Sequence, residues 1–452
     1  MSFSKCSADR LIAQPFSCEC GKEHSAYGLK SITVGSGVLP QVVNVLKKLG
    51  IQKPYLVTDR NEYLAVGEKV EEILRGAEVP FVTHIIPCAA DKRVAPDEFA
   101  TGSIILNFDA SCDGILCVGS GVMNDLCKVV SNATGRPEVV VATAPSMDGY
   151  ASDGAAMEVN HIKLSLKERI PVALICDVDI LTQAPMHMLH AGLGDMLGKF
   201  SALCEWQIAQ LVLDEAYCQE TANLVHVSLD KIVSGSIGVP RRDPEAIKAI
   251  TEGLILSGIA MAFAGNSRPA SGLEHYFSHC WEMVALAKGE ECDLHGIQVG
   301  VGTLLVLKIY EHLKTVKPTM EHVKQAADAF DRAAWEANIR RVFVDTAEDI
   351  IAMEDRAHKN DRDGRMARAE RIVNHWDEIL KIAEGAPSAT EIEALMKKAG
   401  MPTRPEQIGI DKKGVIDAFI CSRDVRDKYL LSSMIWDIGY MEEFAAWLET
   451  EL

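Results

Sequence analysis

The sequence has no surplus of basic charge: 46 lysines and arginines stand against 64 acids, for a formal net charge of −18, and no Lys/Arg cluster interrupts that balance. Such a field repels nucleic acid and anionic membrane surfaces, which excludes both as expected partners. Nor is there a long apolar run. The longest, Gly253 to Gly265, falls short of the roughly 20 residues that span a bilayer, and the N-terminus lacks the basic-then-apolar order of a signal peptide. A core helix in a cytoplasmic protein, with no membrane span, is expected instead. The thirteen cysteines form no paired framework. Several sit in apolar segments such as Ile115-Leu116-Cys117-Val118, where reduced, buried thiols are expected. No repeat or low-complexity segment occurs.

What is present is a globular composition, 48% hydrophobic and 24% charged over 452 residues, a length that suits two domains. Cys18-x-Cys20-x3-His24 offers thiolates and an imidazole, all zinc ligands. It lacks a second ligand pair nearby, and C-x-C is tighter than the usual C-x2-C knuckle, so the spacing alone does not make a metal site.

Short β-branched runs then alternate with helical patterns: Ser31 to Val34, Tyr55 to Thr58, Val82 to Ile86, Gly114 to Val118, Val139 to Ala142 and Val172 to Cys176. Strands separated by helix-length segments predict βαβ units and a doubly wound parallel sheet, Rossmann-like, over residues 1–183. From about Ala184 the strand signal disappears and periods of three to four dominate, as in Ile247 to Ala264, His322 to Ile339 and Gly414 to Ile438. Residues 184–452 are therefore expected to form an all-α domain, with the ligand cleft between the two. Met353 to Arg371, dense in both signs of charge, reads as a solvated helix with a turn at Gly364.

The strand ending at Val118 runs into Gly119-Ser120-Gly121-Val122-Met123-Asn124-Asp125, with helix expected from Leu126. A Gly-rich turn there lets the backbone approach a pyrophosphate, which the free N–H groups of the next helix attract. Asp59, at the end of a neighbouring strand, can accept bonds from the adenosine ribose hydroxyls, a preference for NAD over NADP. Thr143-Ala144-Pro145-Ser146-Met147-Asp148-Gly149-Tyr150-Ala151-Ser152 packs hydroxyls and a carboxylate into one turn; by itself it reads as capping chemistry.

A second constellation joins His190-Ala191-Gly192-Leu193-Gly194-Asp195 to His275, His279 and His295. One carboxylate and several imidazoles can hold a divalent ion while leaving a position open for a substrate oxygen. His275 and His279, at i and i+4, share a helix face. Glycines 192, 194 and 198 permit close packing around Asp195, and Lys199 is a candidate anion holder. His84, His161, His226 and His375 read as structural.

Together these segments resemble the AraM-like branch of the sn-glycerol-1-phosphate dehydrogenases, in the iron-alcohol-dehydrogenase and dehydroquinate-synthase-like superfamily. The most specific signatures are Thr-x-x-Ser-Met-Asp-Gly-Tyr and Ala-Gly-x-Gly-Asp-x-Leu-Gly-Lys. The match also takes in the Cys-x-Cys-Gly-x-x-His start, Asn124-Asp125-Leu126-x-Lys128, and Arg423 to Tyr429. The resemblance implies NAD(H) or NADP(H) contacts at Gly119, Ser120, Gly121, Val122, Met123, Thr143, Ala144, Pro145, Ser146 and Ser152. It implies substrate and catalytic roles for Asp148 and His279, and one divalent metal at Asp195, His275 and His295, with Asp195 also near the substrate. Zinc is the first choice from the ligand set, with nickel and iron as alternatives. Where the family usually carries a third glycine this chain has Ser120, whose Cβ would narrow the phosphate loop.

The implied reaction is reduction of dihydroxyacetone phosphate, a small phosphorylated three-carbon ketone, to sn-glycerol 1-phosphate by a cytoplasmic homodimer. On that resemblance the ion would supply Lewis-acid polarisation of the ketone oxygen, and His279 and Asp148 would position hydroxyls and help relay the proton. Rivals are a polyol or glycerol dehydrogenase acting on unphosphorylated substrate, a sugar-phosphate cyclase of the dehydroquinate-synthase type, and a non-catalytic nucleotide- or metal-binding protein.

Overall fold

The computed structural model describes Cys6 and residues 8–26, 28–88, 93–159 and 162–452; His161 lies outside them. By internal packing the chain divides into two units, Met1–Met196 with Gln219–Asn266, and Leu197–Cys218 with Ser267–Leu452. Residues 184–196 and 219–266 thus group with the sheet rather than with the later helices.

In the first unit, a hairpin of β1 (Phe16–Ser17) and β2 (Glu23–His24) precedes the sheet. Six strands follow as expected, β3 (Ser31–Gly35), β4 (Pro54–Thr58), β5 (Val82–Ile85), β6 (Gly114–Gly119), β7 (Glu138–Ala142) and β10 (Ala173–Asp177). They pair in the order β3-β10-β7-β6-β4-β5, every pairing parallel. The four inner strands are buried along their whole length, whereas β3 and β5 at the edges are only partly covered. That pattern explains why the inner strands read as unbroken apolar runs: both faces are packed. Leu116, Val118, Val139, Val141 and Ile175 share one face with Val42, Leu46, Val70 and Leu74. The antiparallel hairpin β8 (Gly154–Val159) with β9 (Ile162–Lys167) is an addition the sequence pattern did not reveal.

Four helices of this unit matter for the site. Helix α1 (Gly121–Thr134) leaves β6 directly and ends at Gly135, which takes a left-handed φ of 70°. Helix α2 (Met186–Leu197) carries Asp195. Helices α3 (Gln219–Gly235) and α4 (Pro244–Ala264) pack on each other. Helix α4 starts where Asp243 caps and Pro244 takes the first turn, and it stops at Gly265, the expected placement of proline and glycine. At 21 residues it outruns the apolar stretch seen in the sequence and is long and apolar enough to cross a membrane. About two thirds (67%) of that window is nevertheless buried within the protein, as a core helix requires.

The second unit contains no strand among its described residues. Two of its expected long periods are each broken in two. His322 to Ile339 becomes Met320–Asp328 and Arg332–Phe343, because the Asp331 carboxylate accepts from the N–H groups of Ala333 and Ala334 and starts a new helix. Gly414 to Ile438 becomes Lys412–Cys421 and Leu431–Asp437. The charge-dense run is solvated in part: Asp355, Arg356, Asp361, Arg362, Asp363 and Glu370 are exposed, but one side of it packs inward. It spans the helices Ala347–Ala357 and Arg362–Asn374, Gly364 lies inside the second rather than at a turn, and Glu354 and Arg365 are buried. Arg365 stacks on Trp436 at 3.9 Å and donates to the Ala326 carbonyl at 3.1 Å; Arg368 pairs with Asp437 at 2.8 Å.

Candidate active site

Strands β4 and β6 are neighbours, yet the chain leaves β4 toward β5 and leaves β6 toward β7, in opposite directions along the sheet. The crevice beyond their carboxyl ends is where open parallel sheets bind ligands. Asp59 follows β4, Gly119 to Met123 close β6, and Thr143 to Ser146 follow β7. Helix α1 begins at Gly121 and not at Leu126, so Gly121, Val122 and Met123 form a first turn whose N–H groups lack partners within the helix. A Cβ at Gly119 would overlap the Glu62 carboxylate and the Met123 side chain, and one at Gly121 would come within 2.9 Å of Met147 Cγ. Ser120, by contrast, sits at φ −97°, ordinary ground for an L-residue. The missing third glycine costs no backbone strain.

The loop already holds an acidic group, one of the chain's own. Ser120 N–H donates to Glu62 Oε1 at 2.7 Å and the Thr143 hydroxyl donates to the same oxygen at 3.2 Å. Burial, with the charge of Asp59 adding to it, pushes the Glu62 carboxyl up to about 8. Its Oε2 is buried without a hydrogen-bond partner among the described residues. Asp59 has a duty the sequence did not suggest: it caps the short helix Arg60–Glu62 by accepting from Glu62 N–H at 2.7 Å. Ala144, Pro145 and Ser146 are buried, the Tyr150 hydroxyl donating to the Ala144 carbonyl at 2.7 Å. Ser152, also buried, donates to the Gly149 carbonyl at 3.0 Å.

Two glycines let helices close on the Asp148 turn. A Cβ at Gly192 would overlap the Pro145 carbonyl oxygen, and one at Gly258 would lie 2.9 Å from Ala151 Cβ and 3.0 Å from the Asp148 carbonyl oxygen. Helices α2 and α4 therefore press against residues 145–151. Asp195 Oδ2 accepts from Asp148 N–H at 3.0 Å, and the Ser257 hydroxyl donates to Asp148 Oδ2 at 2.8 Å. Asp148 and Asp195 are thus brought together in this unit. Ser257 was not foreseen; nothing marks one serine in an apolar helix.

In the second unit the three imidazoles converge. They lie on helix α5 (Leu273–Lys288) and at the start of α6 (His295–His312), helices brought close at Gly302, where a Cβ would come within 2.7 Å of the Glu274 carbonyl oxygen. Ring centroids are 5.3 Å apart for His275 and His295, 5.4 Å for His279 and His295, and 6.5 Å for His275 and His279. His275 Nδ1 is 2.8 Å from Glu274 Oε1, and that carboxylate also accepts from Gly272 N–H and the Ser201 hydroxyl, each at 2.6 Å. Although burial pushes Glu274 up, these bonds hold its pKa below the usual value. With Nδ1 donating to a carboxylate, His275 presents Nε2 as a lone pair, the orientation a ligating histidine needs. His295 Nδ1 lies 2.9 Å from the Ser278 hydroxyl. Burial, then the nearby Arg426 charge, pushes the His279 pKa well down.

Glu282 joins this group unannounced: His279, Glu282 and His295 each offer a ligand atom within 4.8 Å of the others. Its spacing of three from His279 places it on the same helix face, a signal present in the sequence. Nitrogen donors backed by carboxylates fit a divalent metal of the zinc, nickel or iron type. Lys199 is completely buried at the start of the helix Lys199–Leu213.

A family model described as iron-containing alcohol dehydrogenase matches residues 33–185. The glycerol-1-phosphate dehydrogenase [NAD(P)+] of Halalkalibacterium halodurans is 34% identical over 295 residues, 65% of this chain and 74% of that protein. The enzyme of the same name from Geobacillus thermodenitrificans is 28% identical over 403 residues, 89% and 91% of the two chains. Among solved structures, glycerol dehydrogenase from Schizosaccharomyces pombe aligns with a TM-score of 0.59 at 13% identity, covering 96% of this chain and 94% of that one; at that identity the likeness shows the fold alone.

Proposed function

This chain belongs to the glycerol-1-phosphate dehydrogenase family, and from that premise we propose that it reduces dihydroxyacetone phosphate to sn-glycerol 1-phosphate with NADH or NADPH and one divalent metal. The observation that carries the reading is the loop beyond β4 and β6, where Ser120 N–H and the Thr143 hydroxyl donate to the Glu62 carboxyl at the place we assign to a dinucleotide phosphate. Gly119 to Met123, Thr143 to Ser146 and Ser152 are the proposed cofactor contacts, in a dinucleotide-binding portion within residues 1–183. The metal and substrate portion falls within 184–452, with Asp195, His275 and His295 as the ligands.

When bound, the dinucleotide supplies the hydride and the ion supplies a positive charge that polarises a carbonyl. The chain's own groups do the rest. Asp148, held by Asp195 and Ser257, presents its carboxylate to a substrate hydroxyl. His279, kept neutral by burial, accepts a hydroxyl proton in alcohol oxidation and returns it in ketone reduction. Glu274 keeps the His275 ring in the tautomer that leaves Nε2 open. Zinc, a homodimer and a cytoplasmic location complete the proposal, to be read by metal analysis, sedimentation and cell fractionation.

The test is steady-state oxidation of NADH and NADPH with dihydroxyacetone phosphate and with free dihydroxyacetone, across added zinc, nickel and iron. The phosphorylated ketone should be strongly preferred. Equal or better turnover of the free ketone would transfer the reading to a polyol dehydrogenase, and binding of NADH without net consumption would remove it altogether.

A further inference from the structure

The N-terminal hairpin carries a cluster that the dehydrogenase chemistry does not use. Strands β1 and β2 pair with Phe16 opposite His24, and the connecting turn is closed by Cys18 N–H donating to the Lys22 carbonyl at 3.2 Å and Gly21 N–H donating to the Cys18 carbonyl at 3.1 Å. Gly21 sits at φ 82°, a left-handed conformation that glycine takes without penalty. This tight turn folds Cys18 and Cys20 back over His24. The three side chains offer ligand atoms mutually within 4.8 Å, and Cys20 Sγ is 3.2 Å from His24 Nε2. Ligands on one tetrahedral zinc, at about 2.3 Å for sulfur and 2.0 Å for nitrogen, stand roughly 3.5 to 3.8 Å from one another. The Cys20–His24 pair is close to that spacing, and Cys18 lies within 4.8 Å of both.

The imidazole is also set up from behind. His24 is 1% exposed, and its Nδ1 lies 2.8 Å from the carbonyl oxygen of Phe263, in the last turn of α4, where helix carbonyls lack intrahelical donors. A proton on Nδ1 satisfies that carbonyl and leaves the Nε2 lone pair aimed at the thiols, which is how a ligating histidine is oriented by its outer partner. Two strands of two residues each are also far too short to be stable by pairing alone, so a cross-link in this hairpin has something to stabilise.

We propose that Cys18, Cys20 and His24 form a structural site for a borderline-soft divalent metal of the zinc class, separate from the catalytic ion. It ties the hairpin to the C-terminal end of α4, and the fourth coordination position is filled from outside the hairpin. Binding releases the two thiol protons, so occupancy weakens as pH falls.

The experiment uses the full chain, purified under reducing conditions, with cobalt in place of zinc. Thiolate ligation gives an intense sulfur-to-cobalt charge-transfer absorption that a site of imidazoles and carboxylates cannot produce. The wild type should show that band, and zinc should protect Cys18 and Cys20 from alkylation, both read without any variant. The Cys18→Ser/Cys20→Ser double variant should lose the band and an equivalent of metal per chain while keeping the remaining metal. His24→Cys, which replaces one zinc ligand with another, should retain the band. Absence of a thiolate band in the wild type, alkylation of both thiols unchanged by zinc, or isolation of the pair as a Cys18–Cys20 disulfide would each overturn the proposal.

Discussion

Glu62 is the residue on which the cofactor loop turns. Its carboxyl, raised to about 8 by burial and the Asp59 charge, keeps a proton in the folded state that the unfolded chain releases near pH 4.3. Between those values the native state binds more protons, so stability falls as pH rises from about 4.5 to about 8 and levels off above. Glu62→Gln should remove that slope in thermal denaturation. It should also tighten NADH binding roughly three- to tenfold at pH 9, where the wild-type carboxylate is charged beside the phosphates, and little at pH 6. Parallel pH profiles for variant and wild type would remove Glu62 from the site. His279 permits a second test, because three imidazoles and Glu282 crowd one place. His279→Ala should keep the metal and lose about 10²- to 10⁴-fold in kcat/KM, the usual worth of a positioned acid–base group. Loss of the metal would make His279 a ligand instead; unchanged turnover would reduce it to packing.

At the scale of elements, close approach is what builds the Asp148 turn. Helix α2 meets the Pro145 carbonyl at Gly192, and α4 meets residues 148–151 at Gly258. Gly192→Ala forces backbone to move and should destabilise by about 1–3 kcal/mol or more, with Gly258→Ala at the lower end of that range, since overpacking a filled interior costs on that order. Gly102→Ala is the control: it lies inside the helix Glu98–Leu106 with nothing near its Cβ, and should stabilise by roughly 0.5–1 kcal/mol through helix propensity. Urea denaturation of the three variants reads the order directly, and a stable Gly192→Ala protein would contradict the packing. The glycines around Asp195 were legible as places of close approach. Which backbone they approach was not, because the partner carbonyl of Pro145 is 47 residues away in the chain.

At the scale of the molecule, the cofactor loop is complete within the unit of Met1–Met196 and Gln219–Asn266, whereas the imidazoles belong to the other unit. Chelation should therefore abolish ketone reduction while leaving NADH binding, followed by its fluorescence, within about threefold of the untreated protein. NADH at about a hundred times its Kd should still raise stability by about 2.7 kcal/mol in the metal-free chain. Loss of NADH binding on chelation would show that the two functions are not separable.

The parallel sheet was readable in advance because its inner strands are buried on both faces, which forces β-branched runs such as Val139 to Val141 whatever surrounds them. The phosphate loop and the histidine pair were likewise local, set by a strand-to-helix turn and by i, i+4 spacing. Local chemistry also named Cys18, Cys20 and His24, but spacing alone could not say whether they meet. That waited on Gly21 turning the hairpin and on the Phe263 carbonyl orienting the imidazole. The same holds for Glu62, Ser257 and Glu282, and for the buried arginines of the charged run. A polar side chain acquires its role from a partner brought up by folding, and in a chain this long most such partners are far away in sequence. Apolar periodicity needs no partner to be read, so the sequence alone determined the six-stranded parallel sheet, the helical character of the second half and the candidate ligands, though not where each helix starts and stops. The tertiary structure decided which of those groups face one another.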